Sequence, residues 1–303
     1  MIDLAVAGMP FLDMTFLGLD RVPQPGEELY ARELMRSPGG GAITAVGAAR
    51  LGLATALVSP LSADADGERL RAALEADGVQ LVPPHAGLTA TTVVVPAAGD
   101  RAMITYAGAE RARPDEVAAL DPRAIICGLE DVDIAPPGAA LYISCGDDEA
   151  RRFAGRPPAV LGRAHTLLVN ESEARLLTGA ERAEDAADRL AAQGCPVVVT
   201  LGPRGALGVL DGRRVAVPGV DNGPPVDTTG AGDLFAAAYV WAEQAGAEPE
   251  ERLRWAVLYA TLSVSVPTAV AGAVTRAELI EQGARRGLTG PRAVASVASP
   301  KEE

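Results

Sequence analysis

Six short runs of nearly unbroken apolar residues, alternating with helix-patterned stretches, restrict what this chain can fold into more than any other feature. They lie at residues 3–7, 55–59, 124–127, 140–144, 166–170 and 196–201. A strand with one wet face alternates polar and apolar residues, whereas a strand covered on both faces does not have to. Between the runs, residues 42–51, 67–76, 171–178 and 183–193 carry helical spacing, with Leu70 and Leu74 one turn apart. The alternation predicts an α/β fold with a mostly parallel sheet.

Two stretches break the rhythm. Residues 11–37 set Pro23, Pro25 and Gly26 between short extended pieces, and residues 89–107 read as a hairpin turning at Ala98-Gly99-Asp100. Two arrangements stay open: a small sheet standing off the main domain, or two ordinary surface hairpins. Beyond Gly230 the pattern is mostly helical, and from about Leu288 the residues are small and polar, as in a loose tail. A chain of 303 residues buries enough surface to fold without a disulfide or a structural metal.

Charge and residue counts remove several activities. The net charge of −13 opposes a phosphate backbone, so nucleic acid is not an expected partner. Lys301 is the only lysine, which excludes a Walker A loop, Schiff-base chemistry and the protein-kinase lysine. His85 and His165 are far apart and no H-E-x-x-H occurs, so a histidine-rich metal site is not expected. Cys127, Cys145 and Cys195 are odd in number and widely spaced, as reduced cytosolic thiols are. The start has no basic n-region, and no run of about 20 apolar residues occurs. The expectation is a soluble, cytoplasmic protein with no membrane partner. The first strand leads into Gly8-Met9-Pro10 rather than G-x-G-x-x-G, which rejects a dinucleotide-binding dehydrogenase.

The segment richest in chemistry is Asp227-Thr228-Thr229-Gly230-Ala231-Gly232-Asp233, followed by a helix with Leu234, Ala238, Trp241 and Ala245 on one face. Two glycines opening a helix leave free amides at its positive dipole end, which is an anion site. Asp233 in the first turn would place a carboxylate beside the bound anion, an arrangement that suits a base acting on an attacking hydroxyl. The competing reading is a helix start, with Thr228 or Thr229 as N-cap and Asp233 complementing the macrodipole. That reading leaves the two glycines unexplained. Asn170 with Glu173 is likewise a capping box in outline. Gly202 and Gly205 fit a tight turn. Asp13 after the first strand fits an Asx-type turn, or a carboxylate accepting from two neighbouring hydroxyls.

The whole pattern resembles the PfkB-type carbohydrate kinases, the ribokinase family, over roughly residues 1 to 285. The segment from Asp227 to Asp233 matches that family's C-terminal signature without a substitution. Asn170-Glu171-Ser172-Glu173 matches its N-x-x-E, residues 200–205 its T-x-G-x-x-G turn, and Gly39-Gly40 its N-terminal glycine pair. Gly8, Asp13, Pro25-Gly26-Glu27, Asp64, Gly67 and Gly78-Val79 also fit. The resemblance implies a three-layer α/β/α sandwich over residues 1–287, with β-sheet lid segments at about 11–37 and 88–108 and a tail at 288–303. It implies transfer of a phosphoryl group from ATP to a hydroxyl, with Asp233 as base and the amides of Gly230, Ala231 and Gly232 as anion hole. An aspartate at a helix N-terminus is expected to be ionised and a weak base, which a loose transition state tolerates.

The same resemblance implies that Asn170, Glu173, Thr200, Gly202, Gly205 and Thr228 lie by the nucleotide, with Glu173 reaching Mg2+ through water. Asp13, Gly40, Gly41 and Thr44 would join Asp233 around the acceptor, Gly40 by allowing its close approach. Asp227 could contribute to a K+ site. Three departures bear on substrate identity. Thr44 stands where the family has an asparagine, Gly41 replaces a commoner polar residue, and Glu110 replaces the asparagine that ends the lid. Phe11 and Phe16 flank Asp13, so a nucleoside acceptor stays open beside a sugar. A ligand-sensing protein without turnover is the alternative from another class, and exposed edges of the lid strands would let two chains pair.

Overall fold

The computed structural model describes residues 1–97, 100–108 and 111–290; the expected turn at Ala98-Gly99, the lid end at Ala109-Glu110 and residues 291–303 of the expected tail lie outside them. The strands are β1 (Ile2–Val6), β2 (Pro10–Leu17), β3 (Glu33–Gly40), β4 (Thr55–Leu57), β5 (Gln80–Leu81), β6 (Thr91–Ala97), β7 (Asp100–Tyr106), β8 (Pro122–Cys127), β9 (Ala140–Ser144), β10 (Thr166–Asn170), β11 (Val197–Thr200), β12 (Ala206–Leu210) and β13 (Arg213–Val217). The helices are α1 (Gly41–Arg50), α2 (Ala65–Ala76), α3 (Pro114–Ala119), α4 (Asp147–Arg152), α5 (Glu171–Thr178), α6 (Ala183–Ala191), α7 (Ala231–Gln244), α8 (Pro249–Ser263), α9 (Ala269–Gly272) and α10 (Arg276–Ala284).

Nine strands form one sheet in the order β13-β12-β11-β10-β9-β8-β1-β4-β5, parallel except where β12 and β13 return as a hairpin. The apolar runs are explained by what each side chain meets. In β1, Leu4 and Val6 enter one core while Ile2 and Ala5 enter the other; in β8, Ala124 and Ile126 oppose Ile125 and Cys127 in the same way. A side-chain period of two, with helices on both faces, makes nearly every central position apolar. The first core is completed by α1, α2, α7, α8 and α10, the second by α3 to α6. This is the expected three-layer sandwich. Helix α7 is more enclosed than its predicted stripe, since Leu234 through Ala242 are all buried. A helix that is apolar all round belongs in the middle of a layer.

The two stretches that broke the rhythm build a second sheet, in the order β3-β2-β6-β7. Register fixes its faces. Asp13 sits opposite Ser37 and Thr92, while Met14 sits opposite Arg36 and Val93. Phe11, Asp13 and Thr15 therefore share one face, and Met14 and Phe16 share the other. Phe16 does not flank Asp13 in space, because an offset of three residues in a strand reverses the face. The root of this sheet is tied to the large domain by Asp64. That residue caps α2 by accepting from the Gly67 amide at 2.8 Å and also accepts from the Thr89 amide at 2.9 Å and the Thr89 hydroxyl. At the far end, Leu288 packs against the first core and Thr289 bonds Glu251, so the chain is anchored at least that far.

Candidate active site

The loop before α7 is shaped by Asp227. Its two carboxylate oxygens accept from the Thr229 amide at 2.9 Å and the Thr268 amide at 3.0 Å, while the Val226 amide donates to the Val264 carbonyl at 2.7 Å. The chain then turns at Gly230, whose φ is +73°; a Cβ there would lie 2.5 Å from Ala269 Cβ and 2.6 Å from Ile43 Cδ1. Only glycine meets both conditions. Gly230 occupies the N-cap position of α7 and no side chain caps the helix, so neither Thr228 nor Thr229 takes the capping role. A Cβ on Gly232 would meet nothing within 4 Å. The first-turn amides have no intrahelical partner. The Ala231 amide has only a long 3.4 Å contact to the Thr228 carbonyl. This end of the helix is open, electropositive and unobstructed.

Asp233 stands in that first turn. Burial raises its carboxyl to about 6, opposed by hydrogen bonds from Thr44 and from its own amide. Asp233 stays mostly ionised near pH 7, as expected, while loss of water makes it a stronger base than an exposed aspartate. The hydroxyl of Thr44 donates to Asp233 Oδ1 at 3.1 Å. Asp13, buried on the small sheet, is raised to about 7 by burial first and then by the Asp233 and Asp227 charges, against a hydrogen bond from Thr92. Asp13 on the small sheet and Asp233 on α7 are thus near enough for one charge to act on the other.

The third contribution comes from the carboxyl ends of β10 and β11, the usual location of ligand sites in such sheets. Asn170 caps α5 by accepting the Glu173 amide at 2.9 Å, and Glu173 returns the bond to the Asn170 amide at 2.8 Å and to its Nδ2 at 2.6 Å. The capping-box reading is therefore correct for this pair. Burial lifts Glu173 to about 7, with Asp147, Asp233 and Glu149 adding to the rise and the Asn170 amide opposing it. Thr200 lies beside Asn170 in parallel register. Gly202 and Gly205 make the tight turn between β11 and β12, with φ of +58° and +97°, and Arg204 pairs with Glu171.

Some expectations change. A Cβ on Gly40 would collide with the Met9 carbonyl and the Phe11 ring, and one on Gly41 with the Gly8 carbonyl. These glycines let β1, β2 and α1 cross tightly; their missing side chains do not open space for a ligand. Thr44 turns its hydroxyl to Asp233, spending its one donor there and keeping its acceptor lone pairs. Gly39, the first of the matched glycine pair, is held to glycine by Asp13: a Cβ there would collide with its carboxylate. Thr92 and Thr105, whose hydroxyls lie 3.2 Å apart beside Asp13, were not singled out. The threonine spacing in residues 89–92 was the available signal. His165 is not isolated: its Nε2 lies 3.2 Å from Glu243, which also takes the Tyr142 hydroxyl and Arg252. That cluster sits at the start of β10, the opposite edge from Asn170. The three cysteines are free and buried. Among the described residues no group of three or more His, Cys, Asp or Glu is arranged to hold a metal, and no helix is long and apolar enough to cross a membrane.

Residues 12–127 and 139–276 match the model of the pfkB family of carbohydrate kinases. Ribokinase of Bacillus subtilis (strain 168) is 29% identical over 297 residues, spanning 92% of this chain and 98% of that protein. Ribokinase of Arabidopsis thaliana, solved with ribose and ATP, has a TM-score of 0.78 at 25% identity over 92% of this chain and 98% of that one. Ribokinase of Thermotoga maritima has a TM-score of 0.80 at 22% identity over 94% of this chain and 100% of that one.

Proposed function

Because the chain belongs to the pfkB family of carbohydrate kinases, and so to the phosphotransferases with a hydroxyl acceptor, we propose that it moves the γ-phosphoryl group of ATP to a sugar or sugar-like polyol. The observation that carries this reading is the uncapped start of α7, with open space at Gly232 and Asp233 in the same turn. The amides of Gly230, Ala231 and Gly232 cradle the phosphoryl oxygens, where charge develops during transfer. Asp233 receives the proton of the attacking hydroxyl late in the transfer, and its raised basicity suits it to do so. Asp13 accepts from two neighbouring hydroxyls of the acceptor and fixes which one points at Asp233. Thr228, Asn170, Thr200, Gly202 and Gly205 border the nucleotide phosphates. A bound Mg2+ would supply charge neutralisation for the transferring group. Glu173 fits a water-mediated contact with it, since both carboxylate oxygens already accept from Asn170. Asp227 shapes the loop first, each of its oxygens keeping acceptor capacity beyond its amide. No step is routed through K+.

The small sheet acts as a lid that excludes water, the competing acceptor. Its outer face carries Met14, Phe16 and the exposed Leu34, Ile104 and Tyr106, which supports pairing of two chains face to face rather than through the strand edges. A nucleoside acceptor is the second reading, favoured by Phe11 alone, which shares the face of Asp13.

The test is ADP release from Mg-ATP across pentoses, hexoses, sugar acids and nucleosides, with Asp233→Asn beside wild type. Turnover of one polyol, lost by about a thousandfold in the variant, is the expected result. A variant with near-wild-type kcat would remove Asp233 as base. Tighter saturation by a nucleoside would select the second reading, and acceptor binding without ADP under any condition would turn the assignment to a sensing protein.

A further inference from the structure

Thr44 and Asp233 are brought together by two helix starts that interlock. Helix α1 opens at Gly40 and α7 at Gly230, both with φ in the left-handed region, at +57° and +73°. Ile43, one residue before Thr44, fills the space a side chain on Gly230 would need. Gly47, one turn later, has no room for a Cβ because Leu234, the residue after Asp233, lies against it. Thr44 is thus clamped on both sides by the helix that carries Asp233, and it is buried. A helical threonine ordinarily returns its hydroxyl to the carbonyl one turn back. Here the hydroxyl donates instead to Asp233 Oδ1 at 3.1 Å.

We infer that Thr44 is a positioning residue: its hydroxyl holds the Asp233 carboxylate in one orientation, with Oδ1 engaged and Oδ2 presented to the acceptor. The inference rests on Asp233 being the base. Other groups facing Asp233 are carboxylates, Asp13 of β2 and Glu173 of α5, and Asp227 faces Asp13 in turn. None of these is a donor when ionised, so Thr44 supplies the side-chain hydrogen bond that, with the Asp233 amide, favours the charged form of the base. Thr44 would then act through Asp233 and not on the acceptor directly.

The experiment compares Thr44→Val, Thr44→Ser and wild type. Valine keeps the shape and removes the donor; serine keeps the donor. For Thr44→Val, kcat is expected to fall about tenfold with little change in KM for ATP. The acid limb of the kcat profile is expected to move up by about half a unit or more, since loss of a donor to the carboxylate raises its pKa. Thr44→Ser is expected to recover most of both. The Asp233 carboxyl carbon, assigned by its disappearance in Asp233→Asn, is titrated by NMR in the same proteins and should shift the same way. An unmoved carboxyl titration in Thr44→Val, or a serine variant as impaired as valine, overturns the inference. If valine disturbs folding, seen as loss of a cooperative thermal transition, Thr44→Ala carries the same comparison. Absence of turnover in wild type would count against the kinase reading alone, because the NMR titration still decides the role of Thr44.

Discussion

Helices α5 and α7 both start at the rim where strand ends gather, and they solve the same problem in opposite ways. The N-terminus of α5 is closed on itself, with Asn170 and Glu173 exchanging three hydrogen bonds. The N-terminus of α7 has no capping side chain, a left-handed glycine at its cap and empty space beside Gly232. Every helix start leaves amides to be satisfied. Where the chain supplies the partner, the end is structural first. Where it withholds one, the amides are available to a ligand.

The largest effect should come from closing the open end. Gly232→Val adds a side chain where the native fold has room, so thermal stability should stay within about 1 kcal/mol while kcat/KM for ATP falls at least about a hundredfold. Activity surviving this change would break the contrast between the two ends.

Asp13→Asn tests the charge gathered at the open end. Its folded pKa of about 7 lies above the ordinary aspartate value of 3.8, so the native state holds the proton more tightly than the unfolded chain. Wild-type stability should therefore fall as pH rises from about 4 to 7 and level off above that. The asparagine variant should escape this decline and be more stable at pH 8, by a few kcal/mol at most, while losing acceptor affinity. Denaturant unfolding at pH 5 and pH 8 checks it; a pH-independent difference between the proteins would count against the facing carboxylates.

The smallest effect belongs to the closed end. Asn170→Ala should lower stability by about 1 kcal/mol, the ordinary loss for a helix cap. Urea unfolding set beside kcat at saturating ATP would sharpen the comparison. Unchanged stability with a large loss of ATP affinity would mean that α5 is a ligand end as well.

The large sheet was legible because burial on both faces leaves a mark on every strand residue. Strand β5, two residues long, leaves none. The segment from Asp227 to Asp233 was legible because glycine at a helix start is locally costly. What was hidden depended on partners distant in sequence. Gly40 and Gly41 look like ligand-facing glycines until Met9, Phe11 and Gly8 are seen to occupy their space. Thr44 looks like a shortened substrate contact until α1 and α7 are packed together. Phe16 was misplaced for a local reason, since it differs from Asp13 by an odd number of strand positions.

One placement reaches beyond this rim. Asp13 rides on the small sheet and Asp233 on α7 of the large domain, so on the proposed reading the acceptor's contacts are divided between two bodies. The site is complete only while the sheets are apposed, and a molecule that satisfies one acid without the other gains nothing from bringing them together. On the proposed reading, discrimination among polyols is exercised through geometry of assembly: the correct spacing of hydroxyls joins the halves. Two like charges that repel when the crevice is empty favour separation, and an acceptor that bridges them with its own donors offsets that repulsion. Vacancy and occupancy are thereby coupled to opposite preferences of the same pair of side chains.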